Sequence, residues 1–198
     1  MIRRPPRSTL DRASAASDVY KRQVLGLMTS PETWLLGPLD GFSNTLMPVA
    51  HSLTQAKREL ATLQAVLTDK LCTTKPGEAA SIGFHLAHID GSLDRLFCYA
   101  RGNRLNSTQL QFLNQEAQFG TERTKEELLT NALERIDRSL EELRRIPDSC
   151  LYDTRKVGRK ELPATVLGLV FHAAEHTTMH IAQIRTTLKL IEKGDTSS

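Results

Sequence analysis

Apolar residues recur along this chain at alternating three- and four-residue steps. Leu46, Val49, Leu53, Ala56, Leu60, Leu63 and Leu67 form one such series. It is the seam of an amphipathic helix facing other helices, and it predicts a first long helix over residues 42–68. The turn-rich PETWLLGPLDG, residues 31–41, is expected to lie over the helices as a leading segment. A second helix is predicted over 78–101, between the breaker TTKPG and the stop at Gly102. Leu129, Leu133, Ile136, Leu140 and Leu143 mark a third over 122–146, with charges on its outer face and Pro147 ending it. A fourth is predicted from Pro163, which suits a first helical turn, to about residue 192. Residues 106–118 read as a short connecting helix with Ser107 as its cap, and 148–162 as a loop. No stretch shows clear strand alternation. The pattern therefore predicts an all-α protein, a four-helix bundle with a short extra helix between the second and third long helices.

The fourth helix carries His172, His176 and His180, three of the chain's six histidines. Steps of four turn about 40° round a helix, so the three imidazoles form a narrow stripe. His176 and His180 fall on the same face as Leu169, Ala173, Ile184 and Ile191, which should face the core, while His172 drifts to its edge. Buried histidines need polar partners. Two readings are open here: core histidines bonded to backbone carbonyls, or a metal-clasping pair. On the second helix, Ser81, Ser92, Arg95 and Tyr99 lie within about 40° of His88, with His85 near 60°. That polar row is either a solvent face or the wall of an internal polar cavity. His51 lies off its helix's seam and reads as a surface histidine. The basic cluster Arg155, Lys156, Arg159 and Lys160 reads as solvation of a loop.

Charge changes the picture once the first residues are set apart. Residues 1–23 lack helical or strand periodicity and resemble the translation of sequencing-adapter DNA, so they are expected to be foreign to the fold. They hold six of the 26 Lys and Arg but two of the 23 Asp and Glu. Without them the formal charge of +3 becomes −1, and a nucleic-acid partner loses its electrostatic support. Residues 24–198 suffice for one domain with a single core. The longest uncharged run near the histidines, 162–174, is too short to span a bilayer, so no membrane association is expected. Three cysteines, Cys72, Cys98 and Cys150, show no paired spacing. That sparse, odd count fits a reducing, cytoplasmic setting.

In SIGFHLAHIDGSLDRL (81–96) and HAAEHTTMHIAQ (172–183) the chain resembles the DinB/YfiT-like superfamily, over roughly residues 31–191. The resemblance implies a bundle in which a histidine of the second helix joins two residues, four apart, on the last helix to hold a divalent metal. Carried onto this chain, these are His88, His176 and His180. The middle position is Glu in some relatives, and His172 matches a family histidine that is usually not a ligand. Three neutral nitrogen ligands suit Zn or Ni, with Fe also possible, and leave positions open for water or substrate. His-Glu-x-x-His and Glu-x-x-His are both missing, which sets zincin and carboxylate-rich di-iron sites aside.

The family also implies a thiol-dependent transferase or a hydrolase, with a low-molecular-weight thiol and an electrophilic small molecule as partners, and a homodimer. A non-catalytic metal- or ligand-binding stress-response bundle is the alternative. Arg95 is a candidate to hold an anionic group, Tyr99 to donate a proton, and Gln183 to support a ligand, with Ser92 on the same wall. No catalytic residue follows from the pattern, and Glu175, about 100° off the ligand face, is expected to be solvated.

Overall fold

Pro48 sets where the first long helix begins. Its ring holds φ near the helical value, and the N–H it lacks is one a first turn leaves without a partner anyway. Helix α1 spans Met47–Leu63, ending before residue 68. Thr68 is extended instead, and its side chain accepts from the Leu71 amide to cap a separate short helix, α2 (Asp69–Thr73). Leu67 is buried all the same, so the apolar seam keeps its contacts while the backbone changes course. The computed structural model describes residues 31–195, and the expectation for residues 1–23 lies outside the described residues.

The remaining helices start at side-chain caps. Ser81 accepts from the Phe84 amide at the head of α3 (Ile82–Ala100). Asn106, rather than Ser107, caps α4 (Ser107–Glu122) through a reciprocal box with Gln109. Thr124 and Glu127 form the same box on α5 (Lys125–Arg144). Helix α4 runs past residue 118 and is longer than expected.

The segment expected as a loop folds further. A two-stranded antiparallel hairpin, β1 (Thr154–Val157) and β2 (Leu162–Thr165), occupies it, with Thr154 opposite Thr165 and Val157 opposite Leu162. Strands of four residues are too short to show a period of two against a charged background. Pro163 therefore lies in β2, opposite Lys156, and not in a helix. A hairpin edge tolerates its missing donor. The last helix, α6 (Val166–Asp195), begins three residues later, where the Thr165 hydroxyl accepts from the Gly168 amide at 3.0 Å.

Helices α1, α3, α5 and α6 form the four-helix bundle: α5 and α6 each pack against both α1 and α3. Leu53 and Leu60 of α1, Ile82, Leu86, Ile89 and Leu93 of α3, Ile136 and Leu143 of α5 and Ile181 of α6 are fully buried between them. Each such side chain contributes about 1.5–3 kcal/mol by leaving water. Helix α4 lies outside this square, on α3. It comes close because Gly83 and Gly120 face each other. A Cβ on Gly83 would run into the Gly120 carbonyl, and one on Gly120 into the Phe84 amide. Helix α3 is thus covered by α4, α5 and α6, and its polar row beside His88 is an interior wall rather than a solvent face. Among the described residues, no helix is long and apolar enough to cross a membrane.

Candidate metal centre

Three imidazoles from two helices meet on that wall. The Nε2 atoms of His88 on α3 and His176 on α6 are 2.9 Å apart, and those of His176 and His180 3.2 Å apart. The rings stand nearly on edge to one another, at 63° for His88 and His180 and 80° for His176 and His180. One ligand atom from each of the three lies within 4.8 Å of the others, so this group could hold a metal ion. Tetrahedral nitrogen ligands at about 2.0–2.1 Å from zinc stand roughly 3.4 Å from each other. The two measured separations fall just below that value, so the side chains fit an ion with small outward shifts.

Two of the nitrogens that turn away from the cluster, on His88 and His180, are held. His88 Nδ1 lies 2.7 Å from Glu116 Oε2, and the Arg95 guanidinium donates to Glu116 Oε1 at 2.6 Å. A carboxylate on Nδ1 keeps the proton there and leaves the Nε2 lone pair free for a ligand role. Glu116 reaches His88 across the close α3–α4 contact, and Gly91 leaves the room it needs. A Cβ at Gly91 would press on Glu116, Arg95 and Phe112. His180 Nδ1 meets His85 Nδ1 at 3.0 Å. Phe84 stacks on His88 with 5.5 Å between ring centroids.

Burial favours the neutral form of His85, His176 and His180. It pushes the His180 pKa down to about 3, helped by His88, His176 and His85, with Gln183 opposing through a hydrogen bond. Burial and then His88 push His85 down to about 4. His176 is lowered mainly by burial, then by His88 and His172, against the pull of Glu175. Metal binding needs unprotonated imidazole, so His176 and His180 hold the competent form near neutral pH.

The other residues singled out from the sequence fall into different places. His172 is exposed; its Nδ1 pairs with Glu175 at 3.1 Å, and its ring centroid is 5.1 Å from that of His176. Arg95 is buried and committed to Glu116, so it is not free to take an anion from a co-substrate. The Ser92 hydroxyl donates to Ile89 O of its own helix at 3.3 Å. Tyr99, three turns beyond His88, lines a separate cleft. Gln183 is exposed, beside His180. His51 Nε2 lies 2.9 Å from Gly37 O.

Two contributors were missed. His85 stands three residues before His88 and is not among the ligands the resemblance implies; its part is to meet His180 Nδ1. Glu116 sits on a helix that reads as a polar connector. Its signal was the narrow face Phe112, Glu116, Phe119 and Gly120, an acid flanked by apolar residues at helical spacing.

The fold and the three histidines point to one family. The model for the DinB superfamily matches residues 52–184, from within α1 to four residues past His180 on α6. The chain belongs to the DinB superfamily. No curated protein matches it.

Proposed function

We propose that the chain is a metal-dependent enzyme, a thiol-dependent transferase or a hydrolase, built on one divalent transition metal held by His88, His176 and His180. The observation that carries this reading is the convergence of three Nε2 atoms from α3 and α6, one of them backed by the buried Glu116–Arg95 pair. Bound there, a divalent ion would lower the pKa of a coordinated thiol or water and supply a nucleophile at neutral pH. The chain's own part is positioning. Glu116 orients His88 and holds its Nδ1 proton, His85 does the same office for His180, and α6 fixes His176 and His180 one turn apart. The His88 side chain is 18% exposed, so the cluster opens to solvent on the side of His88 and His176. Zn and Ni suit three neutral nitrogens best, with Fe next.

A non-catalytic metal- or ligand-binding bundle is the second reading. It is favoured by the use of the buried acid Glu116 to hold His88, and by clefts of about 770, 640 and 580 Å³ lined by other residues. Elemental analysis of the purified chain, followed by turnover assays with low-molecular-weight thiols and electrophiles, separates the two. Metal without turnover of any thiol or hydrolytic substrate favours the second. A homodimer is part of the proposal, since bundles offer flat helical faces for isologous contact. Light scattering at micromolar concentration should give twice the chain mass, and a monomer mass removes the dimer.

A further inference from the structure

A cleft of about 770 Å³ lies at the other end of α3, between that helix's C-terminus, the start of α4 and the hairpin. Its volume is in the range of small-molecule sites. Four cations line it, Arg104, Arg155, Lys156 and Arg159, against the single acid Glu161. Glu161 is shared: Oε1 takes Arg104 Nη2 at 2.6 Å and Oε2 takes Lys156 Nζ at 2.7 Å. One carboxylate between two cations leaves a positive surplus. Arg155 is tied down by its own bonds, Nε to Ala100 O at 2.8 Å and Nη2 near Asp153 at 3.6 Å. Arg159 forms no ion pair among the described residues. Tyr99, Leu105 and Leu110 give the wall an apolar part, with Asn103 and Thr154 also lining the cleft.

The hairpin loop holds this arrangement in an unusual backbone. Gly158 opens the loop at φ 68° and Glu161 closes it at φ 48°, a left-handed conformation uncommon outside glycine, asparagine and aspartate. Two ion pairs hold the Glu161 side chain between Arg104 and Lys156 in the wall of the cleft. Guanidinium groups match phosphate and carboxylate oxygens in pairs, and a tyrosine ring with two leucines offers a flat apolar surface beside them.

We propose that this cleft binds a small organic anion, a phosphate or carboxylate carried on a flat apolar body, with Glu161 screening the cations until the ligand arrives. Tyr99 is eleven residues beyond His88, about 16 Å along the helix, so the site is separate from the metal centre and does not rest on it.

Calorimetric titration of the full chain in low-salt, phosphate-free buffer tests this, with phenyl phosphate, benzoate and inorganic phosphate as probes. Saturable binding of phenyl phosphate or benzoate is expected, the tighter of the two naming the anionic group. Arg159→Glu, on an exposed loop, should weaken it at least about tenfold. Glu161→Gln should tighten it several-fold, a gain that damaged folding cannot mimic. His176→Ala should leave it unchanged, so that failure of the metal reading and failure of this one are told apart. The proposal is overturned if neither organic probe binds saturably, if both loop variants leave affinity as it was, or if inorganic phosphate alone binds as tightly as phenyl phosphate.

Discussion

His88 and Tyr99 lie on the same stripe of α3, about 20° apart in angle, yet their surroundings follow opposite rules. At His88, α4 and α6 close over the stripe. Glu116 is 4% exposed there, and its two oxygens are taken by one histidine and one arginine. No buried side-chain nitrogen or oxygen among the described residues lacks a hydrogen-bond partner. At Tyr99 the cover stops, and four cations line an open cleft with one carboxylate, which two of them share. Burial raises the penalty for an unpaired charge from almost nothing to several kcal/mol. A covered polar residue is therefore held by partners on facing helices, while an uncovered one keeps its charge available.

The sharpest way to break this comparison is to remove a ligand. His88→Ala, His176→Ala and His180→Ala should each take metal content from about one ion per chain to near zero, because two imidazoles alone hold an ion poorly against water. Elemental analysis reads this directly. Loss of metal in His172→Ala with retention in His176→Ala would falsify the ligand assignment.

Next in size is the charge behind His88. Arg95→Met leaves the buried Glu116 carboxylate with its histidine alone, and should destabilise the fold by about 3 kcal/mol in denaturant unfolding. An unchanged midpoint would mean that water reaches Glu116 and that the covered end is less dry than its contacts imply. Glu116→Gln keeps the shape but not the charge on His88 Nδ1. A drop of about 10–100-fold in metal affinity is expected, read by chelator competition. Equal affinity would reduce Glu116 to a structural partner of Arg95.

The pH response of the metal-free protein sharpens the same contrast. The folded pKa values of His180 and His85 lie near 3 and 4, below the ordinary 6.5, because burial disfavours the charged ring. Between about pH 6.5 and those values the unfolded chain binds more protons than the folded one, so stability is lost as pH falls through that window. The melting temperature of chelator-treated protein should fall from about pH 7 to about pH 5, and a flat profile would show that the folded cluster takes up protons freely. The smallest effect is expected at exposed His172. His172→Ala should leave metal content intact and change stability by no more than about 0.5 kcal/mol.

The four long helices, their seams and the histidine stripe were legible in the sequence because periodicity is a local property. Leu46, Val49, Leu53, Ala56, Leu60, Leu63 and Leu67 are all buried as their spacing implied. His176 and His180 reach the interior because a step of four on a helix keeps them on the side of Ile184 and Ile191. The hairpin was not legible, because its strands are four residues long and lie among charges.

What the tertiary structure alone decided is which polar residues are covered. From α3 by itself, Arg95 and Tyr99 are equivalent, each within about 20° of His88. They part company because Gly83 and Gly120 let α4 settle against α3, carrying Glu116 to His88 and Arg95, while that cover gives out before Tyr99. Helical angle can be counted along one strand of sequence. A close approach between two helices depends on pairs of residues far apart in the chain, here Gly83 with Gly120 and His88 with Glu116, and no periodicity within either helix encodes their meeting.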